Sequence, residues 1–288
     1  MAKQTINIGS AANDGTGSTL REAFDITNDN FTELYGGTGG LFHKIEGTNF
    51  TGSLLIGHST TGTLSSAANN TGVGITALDA LTTGDDNVAV GTGAAGAISV
   101  GSSNVAIGHV ALASESSGSK NVAVGQGTLV ALTHGGDAYN VAVGYQAGVA
   151  VISGVQNTLV GALAGDALTT GSTNVAIGYQ ALSTEDTRGG NVAIGRYALQ
   201  VQNADADSFN TAVGYNAGLN VSTGIKNVIL GGKAGDALTT GSNNIIIGYE
   251  AAASAVDVSN EVTIGDSNIT NVRIPADSTL KIGASGDL

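Results

Sequence analysis

The stretch Asn174-Val175-Ala176-Ile177-Gly178-Tyr179-Gln180-Ala181-Leu182 returns seventeen residues later as Asn191-Val192-Ala193-Ile194-Gly195-Arg196-Tyr197-Ala198-Leu199. Val175 and Ile177 are β-branched and separated by one small residue, which is strand periodicity. The glycine that follows permits a φ that branched residues do not adopt. Each unit therefore reads as a short strand ending in a corner. Ala181 and Ala198, three residues past the glycine, open a second short segment. Seventeen residues are too few for a strand plus a crossover helix. The expected fold class is all-β, a parallel β-solenoid whose coils stack through backbone hydrogen bonds.

Outward from this pair the register runs through Gly57, Gly74, Gly91, Gly108, Gly125, Gly144, Gly161, Gly178, Gly195, Gly214, Gly231, Gly248 and Gly265, in steps of 17 with two steps of 19. Thirteen coils with twelve steps at ~4.8 Å would make a rod of roughly 58 Å. The longer steps, before Gly144 and Gly214, lie 70 residues apart, and DALTTGSTN at 166–174 recurs as DALTTGSNN at 236–244, also 70 residues on. Duplication of a four-coil block explains both. Asn stands four residues before most of the glycines, from Asn70 to Asn244. It reads as a buried ladder bonding its own turn; the other reading is a receptor array.

The middle strand residue forms a further column, Ala89, Ala106, Ala123, Ala142, Ala176, Ala193 and Ala212, with Leu159, Ile229 and Ile246 in the same position. If the Val and Ile side chains fill the inside of the coil, this column lies outside, and neither strand face is polar. A strand apolar on both faces is expected to be buried on both, so the Ala column is assigned to an interface with other copies of the chain. The alternative is that Ala fills a tight bend within one coil.

Composition agrees with such a rod. The 288 residues include no Trp or Cys, one Pro, one Met and 45 Gly, with aromatics at 4% and apolar residues at 41%. Burial must come from Val, Ile, Leu and Ala, and this much apolar content argues against disorder. A net charge of −13 with ten scattered Lys and Arg leaves no basic patch, so nucleic acid is not an expected partner. The segment MAKQTINIGS has no apolar run behind its lysine, and no stretch approaches the ~18 apolar residues of a membrane span, so neither export signal nor membrane insertion is expected.

The units NVAIGYQAL (174–182), NVAIGRYAL (191–199) and NTAVGYNAG (210–218) resemble the repeats of phage tail-fibre proteins, and NVAIG resembles the head repeat of trimeric autotransporter adhesins. The resemblance covers about residues 53–265. It implies a homotrimeric left-handed β-roll, a structural protein of the virion made in the host cytoplasm, and adhesion to a host surface. The 17-residue period is longer than the usual adhesin repeat. A bacterial surface adhesin or extracellular structural protein is the alternative.

Three domains follow. Residues 1–40 form an attachment segment, in which 19–35 (TLREAFDITNDNFTELY) opens with a capping box and spaces Leu20, Phe24, Phe31 and Leu34 along one helix seam. This docking helix is joined by GGTGG at 36–40 to a shaft at 41–265. The string INIGSAANDGTGSTLREAF resembles the N-terminal segment of phage fibre and baseplate proteins, implying a tail or baseplate partner. A plain amphipathic helix on its own domain is the alternative. Residues 266–288 read as a β cap, with strand alternation at Val272 and Ile274 and at Leu280 and Ile282. The string VTIGDSNITNVRI resembles the region preceding a cleavable chaperone in some phage fibres.

No enzyme or cofactor is expected. A tailspike-type glycan depolymerase would need paired carboxylates, and Glu115, Glu185, Asp186, Asp205 and Asp207 are the candidates; all are read as solvated charges on outer turns. His43, His58, His109 and His134 are too dispersed for a metal motif, although a trimer axis could gather three copies of one. Tyr145, Tyr179, Tyr215 and Tyr249 follow the repeat glycine on alternate coils, as a packing ladder or as candidate glycan contacts by stacking.

Overall fold

The computed structural model describes residues 43–47, 50–56, 65–271 and 273. The chain is an all-β parallel solenoid of about twelve turns, with no helix among the described residues. Strands β1 (His43–Gly47) and β2 (Phe50–Ile56) form an antiparallel hairpin, and the short β3 (Ala67–Ala68) pairs with β2. Twelve three-residue strands then follow in one ladder, from β4 (Thr71–Val73) to β15 (Val262–Ile264). The hairpin was not foreseen from the repeat; it covers one edge of the ladder, where exposed backbone would otherwise template association. The helix seam of Leu20, Phe24, Phe31 and Leu34, the GGTGG joint, Gly57, His58, and the cap positions Val272, Ile274, Leu280 and Ile282 lie outside the described residues.

Pairing is parallel and in register, each residue standing over its repeat equivalent. Val175 pairs with Thr158 and Val192, Ala176 with Leu159 and Ala193, and Ile177 with Val160 and Ile194. The 19-residue steps keep the same register, Ala123 against Ala142 and Ala193 against Ala212. The additional residues are therefore absorbed outside the strand.

The burial pattern reverses one expectation. The middle column, Ala89, Ala106, Ala123, Ala142, Ala176, Ala193 and Ala212, is 0% exposed within a single chain, so these residues cannot form a surface between chains. Successive strand side chains alternate faces, so with only three residues between corners the single middle one points inward and its two neighbours outward. Size matching across the coil explains why the middle residue is small. Where it is Ala106, Ala123, Ala176 or Ala193, the facing position four past the glycine is Leu112, Leu129, Leu182 or Leu199, all fully buried. Where it is Leu159 the facing residue is Gly165, and a Cβ there would lie 2.8 Å from Leu159 Cδ2. Ile229 likewise faces Gly235. Where Ala142 and Ala212 stand opposite Gly148 and Gly218, Leu159 and Ile229 of the following coil fill the space, and a second column including Leu81, Ile98, Leu132 and Leu168 completes the close-packed lumen.

The repeat glycine has φ between +129° and +141° from Gly74 to Gly248, a region costly for any residue with a side chain. A Cβ on Gly91 would also stand 2.6 Å from the Gly108 carbonyl oxygen, and one on Gly178 2.5 Å from that of Gly195. Backbone of successive coils meets here with no room for an atom between.

Asn links the coils from within. In the middle of the rod, Asn157 Oδ1 accepts the Asn174 N–H at 3.0 Å, Asn157 Nδ2 donates to the Gly171 carbonyl at 2.8 Å, and the Asn157 N–H donates to Asn140 Oδ1 at 2.9 Å. The series from Asn70 to Asn244 is buried. It is a ladder that chiefly bonds the following coil rather than its own turn, satisfying polar groups that an apolar lumen would leave orphaned.

Candidate functional site

The outward strand residues make one continuous apolar face. Because every coil presents a flanking pair, Val88 and Val90, Val105 and Ile107, Val175 and Ile177, Val192 and Ile194 and their equivalents form two parallel columns along the rod, interrupted by Thr71, Thr158 and Thr211. Most of these side chains are half-buried along the rod, and exposure rises toward β15, from 40% at Val228 to 63% at Val262 and Ile264. A contiguous β-branched stripe of this length is uncommon on a protein that works alone. These side chains were assigned to the lumen from the sequence; the Ala–Leu and Leu–Gly exchanges across the coil were the available signal for the opposite assignment.

A second face begins directly after the repeat glycine. Tyr145, Tyr179, Tyr215 and Tyr249 are 42–64% exposed at this edge. Arg196 occupies the coil between Tyr179 and Tyr215, its guanidinium carbon 5.9 Å from each ring centroid and 4.4 Å from that of Tyr197. Tyr179 and Tyr197 meet edge to face at 5.6 Å, and Arg196 Nη2 donates to Tyr197 Oη at 3.0 Å. Bonding to the Tyr197 hydroxyl raises the Arg196 pKa further, so this charge is permanent. The edge thus combines an aromatic cluster with a stacked cation in its middle coils, while Tyr249 lies over Gly232, whose Cβ would stand 3.4 Å from it.

The carboxylates divide. Asp205 and Asp207 are exposed and Asp186 is half-buried. Glu115 and Glu185 are fully buried, contrary to the expectation of solvated outer turns. They fall in the column of Leu81, Ile98 and Leu132, seven residues past the repeat glycine, and that register was the signal missed. Four coils separate them, roughly 19 Å at the strand spacing, well beyond the ~5–9.5 Å that paired hydrolytic carboxylates require. Burial pushes the Glu185 carboxyl up, against the Arg188 N–H that it accepts.

The ion pairs Lys120–Asp137 at 2.7 Å and Lys233–Glu250 at 2.8 Å clip neighbouring coils at the surface. Among the described residues no three His, Cys, Asp or Glu side chains gather to hold a metal ion, and no helix is long and apolar enough to cross a membrane. No family model, curated protein or solved structure matches the chain.

Proposed function

We propose that this chain is the shaft of a homotrimeric virion fibre, anchored through residues 1–40 to a phage tail or baseplate and acting by multivalent display at a host surface. The observation that carries the reading is the Val/Ile stripe on a rod whose own lumen is already full. An apolar face with a 17-residue coil repeat is best covered by a face of the same pitch, which a second copy of the chain supplies. Val88, Val105, Val175, Val192, Val228 and Ile245, with their partners two residues on, replace the Ala column as the proposed interface. Three copies, rather than two, follow from the resemblance of NVAIGYQAL and NVAIGRYAL to tail-fibre repeats. The Tyr edge, lying on another part of the coil, remains open as the candidate contact for host glycan.

Light scattering on the purified chain at micromolar concentration tests the assembly: a mass three times 28.2 kDa is expected, and a monomer would refute it. A chain beginning at Leu41 tests the anchor. It should remain a soluble, protease-resistant trimer that no longer enters particles, since each coil needs only its neighbours. Normal incorporation of that chain would move the attachment surface into the shaft or the cap.

A further inference from the structure

The outer turn of each coil hangs from one carbonyl of the next coil, that of the residue eight past its glycine. The N–H groups of Thr82, Thr83 and Gly84 donate to Ser99 O at 2.9, 3.1 and 3.2 Å, and those of Ile152, Ser153 and Gly154 to Thr169 O at 2.8, 3.1 and 3.4 Å. Ser99 and Val100 bond Ser116 O, and Thr169 and Thr170 bond Asp186 O, in the same manner. Between the coils of Gly74 and Gly248 the pattern stops at two steps. From the coil of Gly108 to that of Gly125, and from the coil of Gly178 to that of Gly195, no backbone carbonyl receives these turn amides. Those are the two steps at which a 17-residue coil is followed by a 19-residue one.

At both, a glutamate takes the carbonyl's place. Glu115 Oε1 accepts the N–H groups of Ser116, Ser117 and Gly118 at 2.9, 3.1 and 2.7 Å. Glu185 Oε1 accepts the Arg188 N–H at 3.0 Å, and Thr187 and Ala204 also direct N–H groups at this carboxyl. We propose that Glu115 and Glu185 are coil-length adapters: each supplies, from inside the lumen, the acceptor that the longer outer turn above carries out of reach. Burying a carboxylate in a Leu column is costly, and in both residues Oε2 has no partner. An acid here is intelligible if losing it leaves a cluster of turn amides without an acceptor, that of Gly118 buried and those of Ser116, Ser117 and Arg188 partly so. The device lets the shaft carry an enlarged turn without breaking its ladder. The turns so accommodated bear Tyr139 and Phe209, 49% and 57% exposed, in a column that is polar at Asp86, Ser103, Lys120 and Gln156.

Hydrogen exchange of the 116–118 amides in the full chain decides the matter. Glu115→Leu installs the residue type the column otherwise prefers, yet these amides should exchange roughly tenfold faster or more. Glu115→Gln, which keeps an acceptor oxygen, should hold protection near the wild-type level. Deleting Gly135 and Gly136 in the Glu115→Leu background returns the next coil to 17 residues and should restore protection. Unchanged exchange in Glu115→Leu overturns the proposal, as does failure of the shortened double variant to recover protection or to fold.

Discussion

The inner and outer columns of a single strand obey different rules although three consecutive residues carry both. Ala176 faces Leu182 across a lumen without spare volume, and its column changes size only where the opposite wall changes in compensation, as at Leu159 with Gly165. Val175 and Ile177 are β-branched in coil after coil yet partly exposed, stacked on their repeat equivalents in the neighbouring coils rather than set against an opposite wall. The inner column specifies the coil, whereas the outer columns stay partly exposed and are the surface that the proposed assembly would cover. Hydrophobicity alone does not separate the two roles; steric reciprocity does.

The contrast is sharpest under the same substitution on either face. Ala176→Arg drives a charge into the lumen with no partner, and a loss of about 4 kcal/mol or more is expected, seen as insoluble or protease-sensitive chain. If instead the variant folded normally and only its assembly failed, the inner assignment would be wrong. Gly195→Val comes next: it combines a φ of +135° with a Cβ pressed on the Gly214 carbonyl. A cost of roughly 2 to 5 kcal/mol is expected, with exchange protection lost first in the coils on either side. On the outer face, Val175→Arg should change the stability of the isolated coil by no more than about 1 kcal/mol while abolishing association. Retention of full assembly by Val175→Arg together with Val192→Arg would remove the outer columns from the interface.

The smallest effect is a pH slope at Glu185. Burial raises its pKa above the usual 4.5, so the folded chain binds the proton at a pH where the unfolded chain has released it. Its contribution is therefore most favourable below the unfolded value and is lost as pH rises through the folded one. Unfolding midpoints of wild type and Glu185→Gln should diverge as the pH is raised from acid toward neutral, with the Gln variant the more stable at neutral pH. Parallel curves would show that the Arg188 N–H offsets the burial.

Much of the architecture was legible because a solenoid is nearly one-dimensional. The spacing of glycines, the Asn before them and the alternation at Val175 and Ile177 are local, and stacking turns each local pattern into a column. Thus the coil length, the parallel class, the positions of both enlarged coils and the Asn ladder follow from residues read along the chain. What faces what did not follow. Reading Val and Ile as lumen and Ala as surface used the usual rule that larger apolar residues go inside, and that rule fails in a coil too flat to hold two large walls.

The sequence by itself determined the repeat, the rod and its register, because backbone pairing between identical units needs no information beyond their spacing. Only the tertiary structure decided which strand face is buried and why Glu115 and Glu185 sit in a Leu column. The first depends on the distance between opposite walls of one coil, and the second on turn amides to which the next coil offers no backbone acceptor. Neither quantity belongs to any single stretch of chain, and both exist only once the coils are stacked.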